Sequence, residues 1–197
     1  MTGPDLWKEW SAAQWAMEPA DRRALRSLGI KAAGTLLMIG KVLARRDGDL
    51  YVPDESGPPA FVTPVFVDWA DTPESPSPAQ AARFGDLVDL VAWDPQHPHA
   101  WALRCDAAEW LGSIEPQYME PPPVPIHRGP LGWLQARCRG LVLLSRESVS
   151  QYRLLINVQR IEAEDAAHAA ELQGVLSRPW PIPTVTIARQ RGVRHAA

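Results

Sequence analysis

The side chains best suited to chemistry in this 197-residue chain stand between positions 94 and 109, in DPQHPHAWALRCDAAE. Asp94, His97, His99 and Glu109, with Cys105 among them, offer carboxylates and imidazoles. These are ligands that zinc, iron or manganese accept, and groups that move protons near neutral pH. The spacing D-x-x-H-x-H has a proline inside it and matches no metal motif with known mechanics. Histidines beside proline in a loop are more often exposed polar groups. The expectation is therefore no metal and no cofactor. Asp94, His97 and His99 are the alternative metal ligands, and the same three with Glu109 the alternative catalytic group.

Other reaction classes have less support. The chain contains no GxSxG, no GxxxxGK[ST] and no GxGxxG, so neither a serine elbow nor a phosphate-cradling glycine loop is indicated. Cys105 and Cys138 are its only cysteines, with no CxxC. This excludes a zinc site made of cysteine alone and fits a reduced, cytoplasmic chain. The first residues lack the basic-then-apolar order of a signal peptide. The longest nearly apolar run, Ala32–Gly40, is too short to span a bilayer.

Charge is unevenly spread. Residues 1–67 carry eight acids and eight bases, 68–120 ten acids and two bases, and 121–197 five acids and ten bases. The net charge of −3 argues against a chain that holds duplex DNA electrostatically. The basic tail, 188–197, places Arg189, Arg191 and Arg194 as nucleic-acid contacts if there are any, and weak ones. Nine tryptophans and twenty prolines indicate bulky core or interface rings joined by stiff loops.

The element that must position the 94–109 group is DLVDLVAW, residues 86–93, a strand by its length, its valines and its flanking turn residues. Asp89 sits in an apolar row and must find hydrogen-bond donors or meet water. Pro95 and Pro98 interrupt the strand through Ala100. Trp101–Cys105 resumes it, and D-A-A-E at 106–109 reads as a capping box opening a helix over Ala107–Leu111 that carries Trp110 inward. Val88, Leu90, Trp93, Trp101, Leu103 and Trp110 are the expected core.

Around this stretch the spacing predicts a helical N-terminal segment, about 5–28, with Leu6, Trp10, Ala13 and Met17 on one face. Lys41–Val52 is a hairpin turning at Asp47-Gly48. Phe61–Trp69 is a strand that Pro64 assigns to an edge or a bulge. Beyond an extended 121–126, a helix runs from Gly129-Pro130 to Cys138, and Leu141–Leu144 is a buried strand. Val149, Tyr152 and Ile156 share a helical face. A helix covers Glu162–Ser177, and Thr184–Ile187 is the last strand. Ile30–Ile39 is either a short buried strand or a helical turn. The sum is a single α+β domain over 1–197, a mostly antiparallel sheet built from hairpins with helices packed on it.

The Asp47-Gly48 hairpin, Pro64-Val-Phe, DLVDLVAWDP, Trp101, Trp110-Leu-Gly, PLGWLQA and GLVLLS together resemble a group of small proteins of bacterial phages and prophages found near replication genes. The resemblance spans about 20–180 and rests on structural residues, so it implies context and carries no catalytic residue. The functional expectation is a non-enzymatic accessory or interaction protein that binds a protein or nucleoprotein partner. The alternative is a small metal-dependent enzyme acting on nucleotides or nucleic acid around Asp94–His99.

Overall fold

In the computed structural model, which describes residues 4–66, 86–112, 123–156 and 158–177, Leu87–Asp94 is a strand with Asp89 fully buried in it. The carboxylate is tolerated because four main-chain N–H groups donate to it. Leu90, Arg104 and Cys105 reach Oδ1 at 2.8, 2.9 and 3.0 Å, and Ala107 reaches Oδ2 at 2.8 Å. Donors of this kind replace the water a carboxylate loses on burial.

Five strands close into a barrel: β1 (Gly40–Asp47), β2 (Leu50–Pro53), β3 (Pro59–Phe66), β4 (Leu87–Asp94) and β5 (His97–Leu103), in the order β1-β2-β5-β4-β3. Closure removes the exposed edges that an open sheet would present. The β1–β2 hairpin turns through Gly48 and Asp49, Gly48 taking φ +63°. β3 and β4 are antiparallel neighbours from Phe61↔Trp93 to Phe66↔Leu87. Pro64 lies beyond the last β1–β3 pair, Gly40↔Val62, where β3 has a ladder on one side only, so its missing amide is tolerated. The barrel is not purely antiparallel. β2 and β5 run parallel at Leu50↔Leu103, the register that completes the circle.

α1 (Leu6–Trp15) lies against β1, β3 and β4 with Trp10 and Ala13 buried, and Met17 just beyond its end is buried too. The approach is close. A Cβ on Gly40 would stand 2.7 Å from the Ala13 Cβ. α2 (Pro19–Ser27) follows, and Ala33–Leu36 is one helical turn, α3, which settles the ambiguity over Ile30–Ile39.

The second sheet, in the order β6-β8-β7-β9, comprises β6 (Trp110–Gly112), β7 (Val124–His127), β8 (Leu141–Leu143) and β9 (Ile161–Ala163). Only β6–β8 is antiparallel; β7 runs parallel to both β8 and β9. The expected hairpin-built sheet is thus corrected to a mixed barrel joined to a mostly parallel α/β sheet. α4 (Pro130–Gln135) links β7 to β8, and α5 (Ser148–Leu155) links β8 to β9. α6 (Ala166–Leu176) follows β9. Trp133 and Leu134 of α4 share a core with Val142, Leu144 and the barrel, whereas Leu155 and Leu172 pack with Ile126 and Leu141. α4 therefore covers one face of the sheet, and α5 and α6 the other.

Four local expectations need correction. Residues 107–111 are not a helix: Asp106 takes φ +56° rather than an N-cap conformation, Asp89 has taken the Ala107 N–H, and Trp110–Gly112 pairs with β8. Trp110 is consequently 39 % exposed, whereas Val88 and Trp101, partly buried, pack against the core as expected. Pro98 does not exclude a strand, because β5 begins at His97 and a register shift separates the Asp94↔His97 and Trp93↔Trp101 pairs. Glu162 belongs to β9, not to a helix, and Asp165 caps α6 by accepting from the His168 N–H at 2.8 Å. On α5, Leu155 is the buried residue, whereas Val149 and Ile156 are exposed. The strand expected at Thr184–Ile187 lies outside the described residues.

Candidate functional site

The loop group read from sequence is a turn lock. Asp94 Oδ1 accepts from the Gln96 N–H at 2.9 Å, and Oδ2 lies 2.9 Å from His97 Nδ1 across the β4–β5 turn. Those two hydrogen bonds, His97 first, hold the Asp94 carboxyl below its ordinary range. His99 is exposed on β5. Glu109 borders a different feature, the cleft described below, which Asp94, His97 and His99 do not line. Among the described residues no three His, Cys, Asp or Glu side chains gather as a ligand set. Arg189, Arg191 and Arg194 lie outside the described residues.

The thiols are not poised as nucleophiles. Burial first, and then the Asp89 carboxylate, pushes the Cys105 thiol up, and burial pushes Cys138 up to about 12. Thiolate is the reactive form, so both remain protonated at neutral pH.

A cleft of about 370 Å³ opens where the barrel meets the second sheet. The connections leaving β7 and β8 go to helices on opposite faces, so their loops diverge at the carboxyl ends of two adjacent parallel strands. The cleft lies on the β8 side of that divergence, walled by the loop after β8, the segment leading into β6, and the barrel. Trp101, on β5, stands between the two loops. Its indole N–H donates to the Arg128 carbonyl at 3.4 Å on the β7 side, and the Arg146 guanidinium lies over its ring, 5.4 Å from the centroid, on the β8 side.

The loop that carries Arg146 is tied down. Ser145 Oγ accepts from the Glu147 N–H at 3.2 Å, and the Ser145 carbonyl accepts from Gln151 Nε2 at 2.8 Å. On the other wall, the Glu109 carbonyl accepts from the Leu144 and Ser145 N–H groups at 2.8 and 2.9 Å. Trp101, Leu103, Ala108 and Leu144 supply the apolar surface, and Asp49, Asp106, Glu109 and Glu147 bring four carboxylates against the single cation Arg146. Arg146 Nη1 already contacts Asp49 Oδ1 at 2.7 Å. The carboxylates of Asp106, Glu109 and Glu147 form no ion pair with another described residue. The lining is thus an aromatic shelf ringed by uncompensated negative charge.

A second polar cluster, at the carboxyl ends of β7 and β9, is internally satisfied. Arg128 grips Asp165 at two points, 2.5 and 3.0 Å, and reaches Glu171 at 3.4 Å. This fork holds the Asp165 carboxyl far below its ordinary range and raises Arg128. His127 lies between Glu164 Oε1 at 3.3 Å and the Arg139 carbonyl at 3.0 Å. Buried His168 accepts at Nδ1 from the Glu164 N–H at 3.3 Å, and burial lowers its pKa. Having matched partners, these groups clamp β7 to α6 and leave little free for a ligand.

Sequence reading missed Asp49, Asp106, Arg146 and Glu147 as neighbours of Trp101, and assigned Trp101 itself to the core. One signal was available. Ser145-Arg-Glu directly follows the apolar run Leu141–Leu144, so it sits at the carboxyl end of a buried strand, where α/β sheets carry sites. No helix among the described residues is long and apolar enough to cross a membrane. Comparison with protein-family models, with curated proteins and with solved structures finds no match for this chain.

Proposed function

We propose that this chain is a non-enzymatic interaction module of the cytoplasm, in a phage- or prophage-related setting, and that its cleft receives a basic segment of a protein partner. The observation that carries this reading is the charge imbalance at Trp101: three carboxylates without ion-pair partners line a cleft whose one cation is already engaged by Asp49. A carboxylate ring beside an indole face attracts an ammonium or guanidinium group and repels phosphate. A protein segment therefore suits this surface better than a nucleic-acid backbone does.

Calorimetric titration at low ionic strength with an extended peptide carrying one arginine among glycines and serines tests it. The expected result is binding that weakens as salt rises, because the attraction is electrostatic, and that falls at least about tenfold in a D106N/E109Q/E147Q variant. Absence of binding in low salt, or equal affinity in the triple variant, counts against the reading.

A further inference from the structure

We infer that Arg146 occupies, from within the chain, the seat that a partner's arginine takes, so that the cleft is self-capped and binding proceeds by exchange of one guanidinium for another. The inference rests on the basic-partner reading above and adds to it the chemical identity of the anchor and the means by which the site is closed.

The seat is defined by two contacts that Arg146 makes at once. Its guanidinium lies 5.4 Å from the Trp101 ring centroid, and its Nη1 is 2.7 Å from Asp49 Oδ1. A guanidinium that lies over an indole with one nitrogen against a carboxylate suits arginine better than lysine, whose compact, strongly hydrated ammonium is held less well by an aromatic face. The geometry already present inside the molecule is therefore a template for an arginine ligand.

The same contacts show why the seat can be vacated. The Arg146 side chain is 51 % exposed and that of Asp49 59 %, and ion pairs exposed to this degree contribute little net stability. Asp49 also has Arg46 Nη2 at 3.8 Å, so it keeps a cation nearby when Arg146 leaves. Trp101 does not depend on Arg146 for its position, since the Arg128 carbonyl and the Trp93 pairing hold it. The loop backbone is likewise held by Ser145 and Glu109, so a swing of Arg146 requires only side-chain rotation. An incoming arginine would then meet the open carboxylates of Glu109 and Glu147, which Arg146 leaves uncompensated.

The test compares the wild-type full-length protein with its R146A and W101F/R146A variants. Each is titrated with the single-arginine peptide and with the same peptide bearing citrulline, the neutral isostere, and circular dichroism confirms that each variant is folded. Removing the internal occupant is expected to tighten arginine-peptide binding about tenfold in R146A. Replacing the indole by the weaker phenyl shelf is expected to take back most of that gain. The citrulline peptide is expected to bind none of the three. If wild type binds and R146A binds no better or more weakly, Arg146 is part of the receiving surface; the exchange inference is then overturned while the basic-partner reading stands. If neither protein binds the arginine peptide, both fall together. Equal binding of the citrulline peptide overturns the guanidinium seat.

Discussion

Glu9 and Arg104, 95 positions apart in the chain, form a two-point ion pair with Nε–Oε2 at 2.8 Å and Nη2–Oε1 at 3.0 Å, tying α1 to the end of β5. The hydrogen bond to Glu9 raises the Arg104 pKa despite partial burial. Both side chains keep some solvent access, 20 % and 26 %, so screening limits the pair. A double-mutant cycle with E9Q and R104M should give a coupling of about 1 kcal/mol in urea unfolding. A coupling indistinguishable from zero would mean that the pair adds nothing to the apolar packing of Trp10 and Ala13 that holds α1.

Asp89 should be the most sensitive polar position. D89A leaves four N–H groups without their acceptor inside the protein, at a cost of at least about 3 kcal/mol. D89N keeps an oxygen for three of the donors but turns an NH₂ toward Ala107, and about 2 kcal/mol is expected. Urea midpoints measured at constant m decide between these values. An N variant as stable as wild type would show that the Ala107 contact is dispensable.

Truncation should separate the two kinds of apolar residue that look alike in sequence. Leu90 is 1 % exposed, so L90A is expected to lose about 2–5 kcal/mol. Trp110 is 39 % exposed, so W110A should lose under about 1 kcal/mol despite the larger side chain. Reversal of that order in thermal melts would contradict the placement of Trp110 on β6.

Acidification should loosen the α6 region first. Burial lowers the pKa of His168 from its ordinary 6.5, so the folded state prefers the neutral ring. Its contribution is complete above the unfolded value and is lost as pH falls from about 6.5 through the lower folded value. Asp165, held low by Arg128, has the same sign but acts only below the ordinary carboxylate range. H168Q should therefore flatten the fall in Tm between neutral pH and mild acid. An unchanged slope would assign the fall to other groups.

Elemental analysis of the purified protein should find no stoichiometric zinc, iron or manganese, and H97A/H99A should leave its metal content unchanged. About one ion per chain, lost in the double variant, would instead support the metal-dependent alternative around Asp94, His97 and His99.

Local chemistry was enough for what neighbours in sequence decide. The Trp10–Ala13–Met17 stripe, the hairpin at Gly48, the 87–94 strand and the restricted place of Pro64 follow from periodicity, backbone freedom and a missing amide. The need of Asp89 for donors was equally legible, because burial of a carboxylate without them is too costly. Which donors answer it was not, since three of the four come from positions 104–107, and taking them cancels the helix that D-A-A-E predicts. Parallel pairing lay beyond the sequence for the same reason. Leu50↔Leu103 and Val124↔Ile161 join residues 53 and 37 positions apart, and no local pattern encodes a partner at that range. Trp101 shows the consequence: its apolar character is read from the sequence as core, but only closure of the barrel against the β7 and β8 loops turns one face of its ring toward Arg146 and a cleft of carboxylates.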